Sequence, residues 1–329
     1  MSAPQTPAAR KHGFTLCLLG VIALAWLFPQ PGTEGGFLRP EWTTKFGVWV
    51  IFLLQGVSLP TRELAAGYRP LRLQGFVLGW NYLLFPAVTF VCLLGLAPFL
   101  SSDLALGFGL LSILPTTIAS AVAFTDLAGG RTSSAVCATV LSNLLAIALV
   151  PLWVALYLRA GASVSLPLAP LLSKLALLIF LPLLLGQGLR LFWKALPGMV
   201  SAWTRPVSSA IILFIVYAAF AQSVASGFYE AMSLSGLAFV LLGALVLLAL
   251  VSGLVWQSAR CFQLTPGERV AAFFCASQKS LATGLPLAAA IFAALPETLE
   301  IHTGAVLLPL IVYHPLQLVL AAVWAERAR

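Results

Sequence analysis

Long apolar runs separated by short polar stretches repeat along the whole chain. They cover approximately residues 13–28, 43–59, 73–97, 103–126, 132–158, 168–192, 205–226, 235–258, 268–294 and 302–325. Nearly all reach the ~17–25 residues an α-helix needs to cross a hydrocarbon core ~30 Å thick, so the pattern predicts ten transmembrane helices. Two runs are interrupted. The fourth carries Leu114-Pro115-Thr116-Thr117-Ile118-Ala119-Ser120, and the ninth carries Ser277-Gln278-Lys279-Ser280. At ~1.5 Å per helical residue, Pro115 lies ~18 Å in from Asp103 and Lys279 ~16 Å in from Glu268, which puts both breaks near mid-membrane.

Composition agrees with a lipid solvent. The 329-residue chain is 60% hydrophobic and 9% charged, against roughly 25% charged for a soluble domain. The net charge of +8 is scattered between apolar runs without the clustered footprint of a nucleic-acid binder. Five cysteines, Cys17, Cys92, Cys137, Cys261 and Cys275, stand singly without metal or redox spacing and read as packing residues.

The basic residues are sided. With the N-terminus in the cytoplasm, the inner loops and helix ends hold Arg10, Lys11, Arg62, Arg69, Arg72, Arg131, Arg190, Lys194, Arg205, Arg260, Arg269, Arg327 and Arg329. Only Arg39, Lys45, Arg159 and Lys174 fall outside, a bias that favours cytoplasmic termini and an inner-membrane, multi-pass protein. Residues 1–12 form a polar cytoplasmic leader. Pro29-Gln30-Pro31 follows the first run in place of a small-residue cleavage site, so that run reads as a retained helix and not a signal peptide. Ten helices divide into repeats at 13–158 and 168–325, and five helices per half invert the second half, setting the fourth run opposite the ninth. Paired interruptions at mid-depth point to the binding site of a secondary transporter.

Pro115 removes a backbone donor and frees carbonyls for a ligand or cation, and Thr116, Thr117 and Ser120 add hydroxyls at the same depth. A proline kink with hydroxyls bonded back to the helix is the competing reading. Lys279 is the most informative residue, because a mid-membrane lysine costs ~2.5–3.5 kcal/mol on insertion scales. Three roles fit it: a counter-charge for an anionic solute, a proton carrier, or a structural cation capping carbonyls freed by the break. His314 is the other deep ionisable side chain and reads as a neutral, hydrogen-bonded core histidine or a proton relay. Asn81, Gln55 and Gln222 read as buried amides, either helix glue or ligands. No carboxylate stands near mid-depth, and the residues for an enzyme's nucleophile and base or metal set are missing.

At the breaks the sequence resembles the bile acid:sodium symporter superfamily. Pro115 to Ala128 is similar to its fourth-span motif; Ser280 to Pro286, with Leu308 to Gln317, is similar to the divergent branch typified by the seventh human member and its bacterial relatives. The resemblance implies an all-α, ten-helix fold of two inverted repeats. Spans one, two, six and seven would form a panel beside a core of three to five and eight to ten, in which broken spans four and nine cross. It implies sodium-site positions at Ser120, Thr139, Asn81 and Gln278. The chain also departs from the pattern: Ala121 and Lys279 replace two asparagines, and Phe274 replaces the glutamate that bridges the family's sodium ions. With the negative ligand gone and an ammonium present, sodium coupling is in question, and the lysine can stand in for an ion. The arsenite carriers' span-four cysteine is a threonine here, which argues against that cargo.

The resulting expectation is a secondary transporter of an organic, anionic, amphipathic solute, with Pro115, Thr116, Thr117, Ser120, Gln278, Lys279, Ser280, Asn81, Thr139 and His314 at its site. It would need no cofactor, its partners being the bilayer and the solute. A non-transporting membrane scaffold and a proton-coupled or uncoupled carrier of another small solute are the alternatives.

Overall fold

A computed structural model describes residues 7–58, 70–96, 99–161, 173–193, 195–227, 234–295 and 301–327. Leader residues 1–6, Arg62, Arg69, Lys194, Arg329, Glu230, Glu297 and Glu300 lie outside the described residues. Among the described residues every regular element is helical: α1 (Pro7–Leu27), α2 (Pro40–Ser58), α3 (Leu71–Leu96), α4 (Ser102–Ile113), α5 (Ala119–Leu127), α6 (Thr132–Gly161), α7 (Ser173–Phe192), α8 (Leu196–Ala225), α9 (Leu234–Cys261), α10 (Pro266–Ser277), α11 (Leu281–Ala294) and α12 (Thr303–Arg327), with a short 3₁₀ turn at Gln30–Gly32. Six of them, α3, α6, α7, α8, α9 and α12, are long and apolar enough to cross a membrane. The fourth run folds as α4 and α5 and the ninth as α10 and α11, each pair separated by an unwound stretch.

Two helix starts differ from the pattern. The last part of the expected leader is helical, since α1 begins at Pro7, and α8 begins at Leu196, nine residues before its apolar run. Proline at the first helical positions is already at helical φ and sacrifices no needed donor, so both helices extend beyond their apolar stretch.

Two π-turns, at Trp80–Leu84 in α3 and Ala176–Phe180 in α7, are local features the apolar pattern does not register. Each is followed two residues later by a proline, Pro86 or Pro182. The ring collides with the turn behind it and lacks an N–H, so the preceding turn widens. In α3 the Phe85 N–H reaches back to the Trp80 carbonyl, and Pro86 cannot serve the Asn81 carbonyl. That carbonyl is left for another donor.

Burial is inverted relative to a soluble protein. Large apolar side chains such as Leu184, Leu191 and Phe192 face outward, whereas Asn81, Thr116, Gln278 and Lys279 are buried. This is the arrangement that lipid demands. α1 lies on α8, and α2 on α7 and α8. At the α2–α7 contact a Cβ on Gly56 would strike the Leu183 carbonyl and one on Gly186 the Leu53 carbonyl, so the backbones touch because both residues are glycine. A second group joins α4 to α12, α10 to α9, α5 and α6, and α3 to α4 and α6; the groups meet where α11 rests on α2 and α8, and α12 on α8.

Candidate substrate and ion site

The two unwound stretches cross and touch. α4 ends at Ile113, and Leu114 turns extended (ψ 153°) immediately before Pro115; α10 ends at Ser277, and Gln278 turns extended (ψ 147°). Ser280 caps α11 by accepting the Thr283 N–H at 3.1 Å, and its own N–H donates to the Pro115 carbonyl at 2.8 Å. One backbone hydrogen bond therefore joins the fourth run to the ninth.

Lys279 is fully buried at this crossing, and its ammonium donates to three carbonyls: Ser112 at 2.7 Å, Leu114 at 2.9 Å and Asn81 at 3.2 Å. Each carbonyl is free for an identifiable reason. Asn81 lost its donor to the π-turn and Pro86. Ser112 would accept from Thr116, whose N–H instead donates to Ser142 Oγ at 3.3 Å. Leu114 lies past the last turn of α4. Three acceptors match the three N–H groups of an ammonium; a neutral amine has two hydrogens and would set its lone pair against an oxygen. The Phe85 ring closes the remaining side, 4.2 Å from Nζ. Of the three roles the sequence allows Lys279, capping of freed carbonyls is the one this geometry displays, at the end of α4 where the helix dipole favours positive charge.

A second polar group forms beside it. Gln278 Oε1 accepts from Thr117 and Ser120, each at 2.8 Å, and those two hydroxyls also touch one another. Gln278 Nε2, Thr116 Oγ1 and Asn81 Oδ1 are buried without a hydrogen-bond partner among the described residues. Ile118 and Ala119 are exposed and Ser120 is half-buried, so the N-terminus of α5 opens at the edge of this group.

Residues not singled out from sequence complete the scaffold. Asn143 of α6 donates to the Thr116 carbonyl at 2.9 Å and accepts the Thr283 hydroxyl at 2.7 Å, tying the first break to α11. Gln317 of α12 accepts the Lys279 N–H and donates to the Lys279 carbonyl, both at 2.7 Å. That clamp fixes which end of the Gln317 amide is NH₂. His314 Nδ1 lies 2.8 Å from Gln317 Nε2, from which it can accept, and 3.3 Å from the Lys279 carbonyl, to which a protonated Nδ1 would donate, so the ring is hydrogen-bonded within the core in either tautomer. Tyr313 donates to the Ser277 carbonyl at 3.0 Å and Asn81 Nδ2 to the Cys275 carbonyl at 3.2 Å, capping the end of α10 with neutral groups. The available signals were the Ser142-Asn143 pair in an apolar run and the three-residue spacing from His314 to Gln317, one helical face.

Pro115, Thr116, Thr117, Ser120, Gln278, Lys279, Ser280, Asn81 and His314 are thus brought into one network. Thr139 meets it only through its backbone: its carbonyl accepts from Asn143 Nδ2 at 2.8 Å, while its hydroxyl bonds back to the Val136 carbonyl at 2.9 Å, the usual retreat of a helical threonine. No hydrogen bond among the described residues joins Asn81 or Thr139 to Ser120 or Gln278. Gln222 is exposed, not buried, and accepts the Glu34 N–H at 3.3 Å. Phe274, where the resemblance would put a carboxylate, is fully buried among Phe273, Trp324 and Phe124, with ring centroids 5.2, 5.3 and 5.7 Å away.

Each broken run also begins with an acid paired to another helix start. Asp103 of α4 meets His302, just before α12, at 2.8 Å, and Glu268 of α10 meets Arg131, just before α6, at 2.9 Å.

A profile of the SBF-like CPA transporter family matches residues 12–329. The chain is 33% identical to the putative symporter YfeH of Escherichia coli over 315 residues, 95% of this chain and 92% of that protein. It is 30% identical to sodium/bile acid cotransporter 7 of Xenopus tropicalis over 318 residues, 95% and 90% respectively. An uncharacterized protein of Pseudomonas aeruginosa, PA2026, is 33% identical over 321 residues, 98% of this chain and 94% of that one. These are transporters by family, not enzymes. The chain belongs to the SBF-like CPA transporter family, within the bile acid:sodium symporter superfamily, and is a multi-pass membrane transporter of that family.

Proposed function

We propose that the protein carries an amphipathic organic anion, of the bile-acid-like class named in its relatives, by alternating access and without sodium coupling, using Lys279 as a built-in cation. The single observation that carries this reading is the ammonium held by three freed carbonyls at the crossing of the two breaks. A sodium ion wants several oxygen ligands, and here the Lys279 side chain already holds such a set. Phe274, packed among rings, leaves no carboxylate to bind a second one. The solute's anionic group would dock at the open N-terminus of α5, near Ser120 and the unpartnered Gln278 amide, where partial positive charge favours it.

The architecture behind this reading is ten spans in two inverted repeats, with α1, α2, α7 and α8 as panel and the other helices as core. Helix pairing supports it. The first span pairs with the seventh and the second with the sixth, which are the same contact under exchange of repeats. The Asp103–His302 and Glu268–Arg131 pairs join spans four to ten and nine to five, again one relation seen twice. The sidedness of the basic residues supports cytoplasmic termini and an inner-membrane location.

The test is the thermal stability of purified protein in sodium against choline at fixed ionic strength, alongside cholate uptake into proteoliposomes. We expect wild type to be indifferent to sodium in both assays and Lys279→Asn or Lys279→Ala to gain saturable stabilisation by it, because a ligand bound only to the folded state raises stability. Saturable sodium stabilisation of wild type would overturn the built-in cation.

A further inference from the structure

An apolar cavity opens on the flank of the molecule, beside the crossing. It has a volume of about 290 Å³ and is walled by α3 (Leu83, Ala87, Phe90), α4 (Leu106, Leu110) and Trp153 of α6. Two of these, Leu83 and Phe90, are largely exposed on the lipid-facing surface, so the mouth opens into the hydrocarbon of the bilayer. Water has no place in such a cavity, and leaving it empty forfeits the dispersion contacts of its whole lining. The volume is at the small end of ligand pockets, which run from ~300 Å³ upward, and suits one chain better than a bulky ring system.

Thr89, Ser112 and Tyr157 bring hydroxyl groups to the lining. Thr89 is 2% exposed, lines the cavity, and its hydroxyl has no hydrogen-bond partner among the described residues. It lies eight residues beyond Asn81, ~12 Å along the helix from the mid-depth crossing. Since half the hydrocarbon core is ~15 Å, this is the level at which an acyl chain approaches its ester.

We infer that the cavity is a lipid site, holding one acyl chain of a phospholipid from the leaflet on the side where α4 begins, with the ester carbonyl accepting the Thr89 hydroxyl. The floor of the cavity includes Ser112, whose carbonyl also holds the Lys279 ammonium. The bilayer thus packs directly against the helix end that carries the intrinsic charge.

The test uses the full-length protein in liposomes containing a phosphatidylcholine with a diazirine in its acyl chain, irradiated and mapped by peptide mass spectrometry. The outward face of α7 at Leu184 and Leu191 serves as the internal reference for ordinary lipid contact. We expect labelling of residues 83–93, 106–113 and 153–157 to exceed that reference several-fold. Ala87→Trp, which fills the mouth from an exposed position, should cut the excess about tenfold with the α7 labelling unchanged. Thr89→Val should reduce it about two- to tenfold, as expected for one neutral hydrogen bond. Labelling no denser than on α7, or indifferent to Ala87→Trp, would overturn the site; indifference to Thr89→Val would overturn the ester contact. Displacement of the label by soluble hexanesulfonate would overturn the lipid as occupant in favour of a free amphiphile.

Discussion

The ends of α4 and α10 face the same physical problem and solve it with different charge. Each is a half-helix that stops inside the membrane and leaves carbonyls without donors. At α10 the carbonyls of Cys275 and Ser277 receive neutral donors, the Asn81 amide and the Tyr313 hydroxyl. At α4 the carbonyls of Ser112 and Leu114 receive the Lys279 ammonium. The stretches beyond these ends differ too. Gln278, Lys279 and Ser280 are buried throughout and clamped by Gln317, whereas Ile118 and Ala119 emerge from the first break exposed. The second break is held on both sides and supplies a charge to the first; under the proposed function, the first is the side left open to the solute.

Removing the charge should have the largest effect. Lys279→Met keeps the length of the side chain but orphans three buried carbonyls, and at ~1–3 kcal/mol for each acceptor left without a donor the total should be at least ~3 kcal/mol. Thermal or denaturant unfolding in detergent should register that loss; a change under ~1 kcal/mol would mean that the end of α4 does not depend on the ammonium. Gln317→Leu should cost about 2 kcal/mol by stranding the Lys279 N–H and carbonyl. Asn143→Leu should cost less, because the first break keeps the Ser142–Thr116 bond and the hydroxyl group around Gln278. Equal losses would erase the distinction between a fixed and an adaptable break.

A smaller contrast lies at the outer ends of the two runs. Glu268 both closes a capping box with Thr265 and pairs with Arg131, so Glu268→Ala should cost ~1–2 kcal/mol. Asp103 accepts from the His302 ring and from the His302 N–H but closes no capping box, since Ser101 already accepts the Leu104 N–H. Asp103→Ala should therefore stay below ~1 kcal/mol. If both substitutions cost the same, the cap contributes nothing beyond the pair.

The breaks and Lys279 were readable from sequence because a proline or a lysine at mid-membrane is expensive wherever it occurs, and the expense is local. The role of Lys279 was not readable. It depends on which carbonyls surround Nζ, and those are contributed by residues 165 to 198 positions away. Asn143 and Gln317 were missed for the same reason: a buried amide in one helix reads as glue until its partners across the bundle are known. The Thr139 hydroxyl bonds to its own helix, a choice always open to a threonine and one the sequence does not record. The π-turn in α3 was in principle legible from Pro86, but its consequence, a free Asn81 carbonyl, matters only because Lys279 stands opposite.

The smallest expected change in stability belongs to Ser120, and it is the sharpest test of the division between the breaks. Its hydroxyl is half-buried at the open N-terminus of α5 and donates to Gln278 Oε1, which Thr117 continues to satisfy if Ser120 is lost. No buried group is orphaned by Ser120→Ala, so the cost should be only ~0.5–1 kcal/mol. Solute binding should respond out of proportion, because the hydroxyl stands where the proposed anionic group would sit. Cholate uptake falling about tenfold or more with near-normal unfolding would assign the first break to the solute. A loss of stability as large as that of Gln317→Leu, with uptake falling only in step with it, would make Ser120 one more strut and move the solute elsewhere.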